Sequence, residues 1–125
     1  MPDMPVTMTD IALSLSQMSR ALAGAQYELD ELEGKAVKAR EDHTMAYAVE
    51  YLKSGEDFEN GRPPSVETRK ARTVLATHTE RLAMESVEGR LRNKRGEIGS
   101  IKVRIDCARS SGTLLRAEIE LDRVR

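Results

Sequence analysis

The chain has 125 residues and a net charge of −1, with 33% charged residues, 3% aromatic residues and no tryptophan. This length suits one domain, and so few aromatic side chains argue against a compact enzyme with a deep ligand pocket. The balanced charge gives no overall attraction to nucleic acid, and no run approaches the roughly 20 apolar residues of a membrane span. We therefore expect a cytoplasmic, non-catalytic protein without cofactors and without membrane contact.

A first helix is predicted over 9–54, after a flexible N-terminal segment 1–8. Thr7 is followed three residues later by Asp10, a pattern typical of a helix start, and no proline occurs between residues 6 and 62. Apolar residues then recur at alternating steps of four and three, at Ile11, Leu15, Met18, Leu22, Ala25, Leu29, Leu32, Ala36 and Ala39, with His43 and Ala46 next in register. This 3.5-residue repeat predicts a coiled-coil seam.

A turn over 55–64 and a second helix over 65–121 are predicted next. The turn contains the Asn60-Gly61 pair and two prolines, and Ser65 suits the N-cap position. A second seam starts at Val87 and continues at Leu91, Lys94, Ile98, Ile101, Ile105, Ala108, Gly112, Leu115 and Ile119. Upstream, Ala71, Leu75, His78 and Leu82 have the same spacing in a shifted frame. We expect a stutter near 83–86 and a possible kink at 96–99, where glycines weaken the helix.

The last part of the chain also has a competing interpretation. Residues 101–107 alternate between apolar and polar with period two, and Ser110-Ser111-Gly112 follows as a turn signal. A β-hairpin over 101–121 is therefore an alternative. The seam spacing crosses the same residues without interruption, and a lone hairpin has no sheet to join, so we favour the helix.

The predicted fold is all-α: a long antiparallel helical hairpin, assembled into a helical-bundle oligomer. Two helices of this length bury one stripe each, yet apolar residues also occur off the two seams, at Leu13, Ala21, Val37, Val49, Leu52, Val74, Met84, Val103, Leu114 and Leu121. These residues need a second surface, and a homo-oligomer, a dimer or larger, would supply it.

Charge is divided unevenly along the chain. Residues 1–65 carry six basic and twelve acidic side chains, whereas residues 66–125 carry fourteen basic and nine acidic ones. The densest basic run is a candidate nucleic-acid-binding stripe and comprises Arg90, Arg92, Lys94, Arg95, Lys102 and Arg104. The alternative is pairing with the acidic cluster around Glu28–Glu33, which a fold-back near residue 60 would bring close to Arg90 and Arg92.

Other candidate sites are few. Tyr47 and Tyr51, one helical turn apart, are expected to pack together or, with Phe58, to form a partner interface. The same fold-back brings His43 level with His78, which makes a metal site conceivable, although we interpret both as polar fillers and predict no metal. We expect the lone Cys107, which excludes an internal disulfide, to be a buried small residue.

An enzyme is a further alternative. All-α nucleotide pyrophosphatases hold Mg²⁺ with an E-x-x-E pair on one helix and an E-x-x-D pair on another. Glu28 and Glu31 supply the first pair, but the second helix lacks a matching one. We therefore predict no catalytic residues.

The order of several short segments resembles a family of viral proteins. These segments are Ala46-Tyr47-Ala48, a Gly/Pro turn, Ser65-Val66-Glu67-Thr68-Arg69-Lys70-Ala71, the R-L-R-x-x-R run from Arg90 to Arg95, and the L-L-R-A-E run from Leu114 to Glu118. Their order is similar to that in small helical proteins of tailed phages of actinobacteria, often encoded among genes for DNA replication and recombination. The resemblance implies a non-catalytic accessory protein in the host cytoplasm and transfers no binding residues.

Three functions follow as expectations. The first is binding to a host or phage protein of DNA metabolism or host defence. The second is direct DNA binding or end protection through the basic second helix, in the manner of phage nuclease inhibitors. The third is a virion or assembly scaffold, which shares this composition.

Overall fold

The computed structural model describes residues 6–124, which form three α-helices: α1 over Met8–Ser54, α2 over Val66–Ala76 and α3 over His78–Val124. The prediction of an all-α protein is confirmed. Residues 101–121 lie inside α3, so the β-hairpin alternative is wrong. Most of the predicted flexible segment 1–8 lies outside the described residues, and Met8 already belongs to α1.

Both predicted helix starts are confirmed by their capping contacts. The Thr7 hydroxyl accepts a hydrogen bond from the Asp10 amide at 3.1 Å, and the Asp10 carboxylate accepts one from the Thr7 amide at 3.0 Å. These reciprocal bonds form a capping box, and they lower the pKa of the Asp10 carboxyl, with the backbone bond contributing most. Ser65 caps α2 by accepting from the Thr68 amide at 3.2 Å.

The segment between α1 and α2 turns at Asn60-Gly61. Glu59 and Arg62 exchange two backbone hydrogen bonds of 3.0 Å, while Asn60 and Gly61 both have positive φ values, of 53° and 74°. This is the geometry of a type I′ turn, for which Asn-Gly is the preferred pair. The turn therefore follows directly from the sequence.

The predicted second helix is divided at Thr77, which is a correction. Thr77 has φ −105° and ψ 17°, outside the helical range, whereas the helix continues unbroken through 96–99. The Thr73 hydroxyl donates to the Arg69 carbonyl at 2.7 Å, and the Thr77 hydroxyl donates to the Thr73 carbonyl at 2.8 Å. Such bonds to the carbonyl four residues back often bend helices, and here they accompany the interruption at Thr77.

The packing divides the described residues into two compact units. The terminal unit comprises the residues up to Leu29 together with those from Lys94 onward, and the middle unit comprises Asp30–Asn93. The core of the terminal unit consists of Ala25, Ile98, Ile101 and Ile105, with Leu15, Met18, Leu22 and Leu29 packed against them. All eight were predicted seam residues, so the apolar repeat located this core.

The middle unit has a more polar interior. Thr73 and Thr77 are its largest fully buried side chains, at 0% and 1% exposure, and Ser54 is buried as well, beside the apolar Leu32, Ala36 and Leu91. The predicted upstream seam is wrong, because Leu75 and Leu82 are exposed. The covered positions instead follow the frame of the downstream seam, at Thr73, Thr77, Glu80, Met84, Val87 and Leu91. No stutter occurs near 83–86, since the repeat continues there with polar residues in apolar places.

Candidate interaction surfaces

The terminal unit carries a second apolar stripe on the side of α3 that faces away from its core. Its residues follow the same alternation of four and three as the buried seam and are all exposed: Val103, Cys107, Ser110, Leu114, Ala117, Leu121 and Val124. We call this set the outer stripe of α3. Its largest members are well exposed, with Leu114 at 67% and Leu121 at 59%.

The outer stripe and the buried seam lie on opposite faces of α3. Each stripe position follows a seam position by two residues, as Val103 follows Ile101 and Cys107 follows Ile105. Two residues correspond to about 200° around an α-helix. One face of α3 is therefore covered by α1 within the terminal unit, while the opposite apolar face is open to solvent.

The predicted need for a second surface agrees with these exposures. Among the residues expected off the seams, eight large ones are exposed: Leu13, Val37, Val49, Leu52, Val74, Val103, Leu114 and Leu121. Met84 is the exception, because it is half-buried in the middle unit. Cys107 corrects another expectation, since it is exposed and not a buried residue.

The six predicted nucleic-acid-binding residues do not share one face of the helix. Arg90 and Arg104 are fourteen residues apart and lie on the same side of α3. Arg92 and Lys94 lie at two other angles around the helix axis. Arg95 and Lys102 share a further one. All six belong to α3. The density of charge in the sequence therefore did not correspond to a single patch.

Lys94 is held by acidic neighbours within the terminal unit. Its ammonium donates to a carboxylate oxygen of Glu28 on α1 and, at 2.8 Å, to Glu97 one turn along α3. These two bonds raise the pKa of Lys94, that to Glu28 contributing most. Glu28 thus meets Lys94, one helical turn further along α3 than the expected Arg90, and Arg95 also makes an interaction of its own.

A different set of cations forms a column along α3. Basic residues occupy every seventh position at Arg95, Lys102, Arg109, Arg116 and Arg123. Residues seven apart lie on the same side of an α-helix, about 10 Å from one another along its axis. The charge count overlooked Arg109, Arg116 and Arg123, although their regular spacing was visible in the sequence.

Two of these cations border a groove at the start of α1. Met8, Ile11, Ala12 and Leu15 form its α1 side, and Arg109, Gly112 and Arg116 lie on its α3 side. The methyl of Ile11 approaches to 3.6 Å of the place where a Cβ of Gly112 would lie. This distance is an ordinary van der Waals contact, so Ile11 packs directly over Gly112, and Arg109 and Arg116 border the groove.

The predicted aromatic interface divides into a covered part and an exposed part. Tyr47 and Tyr51 stack with ring centroids 6.3 Å apart, and His43 contacts Tyr47 at 6.2 Å. The Arg69 guanidinium lies 4.1 Å from the centre of the Tyr51 ring and donates to the Tyr51 carbonyl at 2.9 Å. Phe58, in contrast, is largely exposed.

Arginines of α2 also fix the segment that follows α1. Arg72 donates to the Asp57 carbonyl at 3.1 Å and to the Glu59 carboxylate. A Cβ at Gly55 would lie 2.7 Å from the terminal nitrogen of Arg69, so any other residue there would force the guanidinium to move from its present position. The middle unit is therefore held at this end by arginine contacts to backbone carbonyls.

The structure brings no metal-binding group together in the part of the chain that it describes. Over residues 6–124, no three His, Cys, Asp or Glu side chains lie close enough to hold a metal ion. The Nδ1 atom of His78 accepts a hydrogen bond from the Arg81 guanidinium at 3.1 Å, and Glu28 of the candidate E-x-x-E pair is bound by Lys94. Among the same residues, none of the helices is long and apolar enough to cross a bilayer.

Comparisons with family models, curated proteins and solved structures give no match to this chain.

Proposed function

We propose that this chain is a non-catalytic interaction protein that acts by packing the outer stripe of α3 against another helix. The observation that carries the proposal is the three-heptad apolar repeat from Val103 to Val124, exposed on the face opposite the core. Solvent-exposed apolar side chains that stand singly need no explanation, but a continuous stripe is typical of an interaction site. A 3.5-residue repeat specifically favours a helical partner.

This proposal includes the finer parts of the expected architecture. The antiparallel contacts within each unit, such as Glu28 with Lys94 and Arg40 with Glu88, support a helical hairpin, and the exposed outer stripe supports its self-association. The resemblance to helical proteins of actinobacterial phages supports a role in DNA metabolism or host defence, in the host cytoplasm. A virion or assembly scaffold would use the same stripe.

Site-specific photo-crosslinking in producing cells tests the proposal. A benzophenone side chain at Leu114 should give a discrete protein adduct, because this position lies at the centre of the outer stripe. The matched control carries the same group at Arg116, which is also exposed but points to another side of α3. No adduct at position 114, or equal adducts at both positions, would contradict the proposal.

Nucleic-acid binding is a second candidate, supported by the cation column. Regularly spaced arginines on one side of a long helix can follow a phosphate backbone, and this column has Arg109, Arg116 and Arg123 as its last members. Acidic side chains at Asp106 and Glu120 reduce its net charge. We therefore rank this function second.

Fluorescence anisotropy with single- and double-stranded oligonucleotides tests this candidate. Binding through several phosphates should weaken by orders of magnitude between about 50 and about 200 mM salt. Replacing Arg109, Arg116 and Arg123 with glutamine should abolish binding. A control with equal loss of charge replaces Arg20, Lys35 and Lys38 on α1 and should retain it. Equal loss in both variants, or no binding by the unmodified protein, would reject the column as a binding site.

A further inference from the structure

We infer that the occupant of the outer stripe is a second copy of this chain, packed antiparallel about a two-fold axis. The inference rests on the proposed function and names its partner. The stripe covers 21 residue steps, or about 31 Å of helix, and is long enough for a three-heptad helix pair. It has the same spacing as the seam by which α3 packs on α1, on the opposite face of the helix, so α3 can use both faces.

The stripe is complementary to itself when two copies run in opposite directions. The stripe alternates between the a and d positions of a heptad repeat. In an antiparallel pair of helices, each a position of one copy lies opposite a d position of the other copy. One register places Val103 opposite Leu121 of the second copy, Cys107 opposite Ala117, and Ser110 opposite Leu114. Each layer then combines two side chains that fit beside each other, and the large Leu114 faces the small Ser110.

Charge on one flank favours the same register. In this arrangement Arg104 lies beside Glu118 of the second copy, and the two-fold axis repeats the pair. Both residues are exposed in the single chain. The other flank places Asp106 near Glu120 of the second copy, but each of these acids lies one helical turn from two cations of the column on its own chain. The antiparallel register thus gains two ion pairs at flanking positions.

A parallel pair is less well matched. It would stack identical residues, with Cys107 on Cys107 and Ser110 on Ser110 of the second copy. Its flanking contacts would join Asp106 to Ser111 and Thr113 to Glu118, neither of which is an opposite-charge pair. The described residues therefore favour the antiparallel arrangement. The single cysteine distinguishes the two arrangements, because Cys107 lies opposite Cys107 of the second copy only in the parallel pair.

Light scattering on the purified full chain over a range of concentrations tests the dimer. The stripe contains three small residues, so we expect a reversible dimer whose mass depends on concentration. Leu114→Glu should give a monomer with unchanged helicity by circular dichroism. The matched control is Leu52→Glu, since Leu52 in the middle unit is equally exposed, at 69%. A monomer at every concentration, or equal loss of dimer in both variants, would overturn the inference.

Cysteine pairing tests the register. With Ala117→Cys, mild oxidation should link Cys107 to the introduced thiol of the second copy and give a covalent dimer. The same variant with Cys107→Ser should give none. The unmodified protein should also remain unlinked, because its two thiols would be about 15 Å apart along the axis, too far for a disulfide. A covalent dimer of the unmodified protein would establish the parallel pair and overturn the register.

Charge exchange gives an independent check. Arg104→Glu and Glu118→Arg should each weaken the dimer by about tenfold, and the double variant should restore it, because the two positions meet only between copies. Failure of the double variant to restore the dimer would contradict the antiparallel pairing.

The two proposals fail in different ways. If the purified protein stays monomeric while the group at position 114 captures another protein in cells, the second copy is wrong and the interaction function stands. If neither experiment gives a complex, both proposals are wrong.

Discussion

Lys94 shows how one residue can appear to belong to a binding stripe and yet serve the fold. It lies in the densest basic run of the sequence, but its ammonium is bound between Glu28 and Glu97. The charge of Lys94 is therefore used within the terminal unit. A count of charges along the chain cannot distinguish this use from binding, because the acidic partner lies 66 residues away.

The raised pKa of Lys94 gives a pH-dependent prediction. Because the folded pKa lies above the ordinary 10.5, the stabilisation is complete below about pH 10 and is lost as the pH rises through the raised pKa. Lys94→Gln should therefore reduce the free energy of unfolding at neutral pH, and the difference from the unmodified protein should shrink above about pH 11. Urea titrations at several pH values measure it. Lys102→Gln is the control, and a difference independent of pH would be inconsistent with this explanation.

Gly55 and Arg69 are a second pair of residues whose structural role is visible only from their contact in the folded chain. A methyl group at position 55 would displace the guanidinium from the Tyr51 ring and carbonyl. We expect Gly55→Ala to lower the free energy of unfolding by about 1 kcal/mol, as overpacking does. In an Arg69→Ala background the same change should have almost no effect, because the obstructing side chain is gone. Equal effects in both backgrounds, measured by urea unfolding, would show that the two residues are not coupled.

At the scale of the element, the covered positions of α3 follow a single repeat, but they are apolar in one part of the helix and partly polar in the other. From Leu91 to Leu115 its seam positions are largely apolar and pack against α1, as their spacing predicted. Before Val87 the same frame holds Thr77, Glu80 and Met84. Upstream of Val87, the apolar spacing therefore pointed to Leu75 and Leu82, which are exposed to solvent. The frame predicted from Val87 onward was right, whereas the shifted frame predicted upstream was wrong because polar residues occupy the covered positions there.

Alanine substitutions at a covered position and at an exposed position of α2 and α3 should therefore differ in their effect on the free energy of unfolding. Ile98→Ala removes methyl groups from the core of the terminal unit, and we expect it to lower the free energy of unfolding by about 3 kcal/mol. Leu75→Ala truncates a side chain that is 78% exposed and should change it by less than about 0.5 kcal/mol. Thermal or urea unfolding compares them. A larger loss for Leu75 would mean that the upstream stripe is covered in solution.

At the scale of the whole molecule, the two units differ in what fills them. The terminal unit has a cluster of three isoleucines and an alanine, whereas the buried residues of the middle unit are apolar at Leu32, Ala36 and Leu91 but polar at Ser54, Thr73 and Thr77, and both threonines bond to backbone carbonyls. Apolar burial is the main favourable contribution to folding, and a hydroxyl that replaces a methyl contributes less. The two units should therefore open with different free energies.

Native-state hydrogen exchange should reveal this difference. We expect the amides of Ile98–Ile105 to exchange most slowly and those around Thr73–Thr77 to exchange faster, because local opening there exposes less apolar surface and the helix is already interrupted. Mass spectrometry of exchanged peptides measures both segments in one sample. Equal protection, or slower exchange around Thr77, would show that the polar interior is as stable as the apolar one.

Features that depend on residues close in sequence were predicted correctly, whereas features that depend on distant residues were missed or located only in part. Capping at Thr7 and Ser65 and the Asn60-Gly61 turn depend on residues within a few positions, so local patterns located them. The division at Thr77 was missed because no proline, glycine or other helix-breaking residue marks it in the sequence. The candidate surfaces were located in part: the off-seam apolar residues were named, but their continuity over three heptads and the cation column were not.

The sequence by itself determined the all-α fold, the start of each predicted helix and the apolar seam that forms the core of the terminal unit, because these depend on local hydrogen bonding and on a repeat written in the chain. Only the tertiary structure decided which of two apolar faces of α3 is covered, which cation is bound by Glu28, and that Thr73 and Thr77 are buried in the interior of the middle unit. Burial depends on what lies opposite a side chain, and that neighbour is distant in sequence. The outer stripe is therefore apolar by sequence and exposed by structure, and its exposure makes it the candidate site.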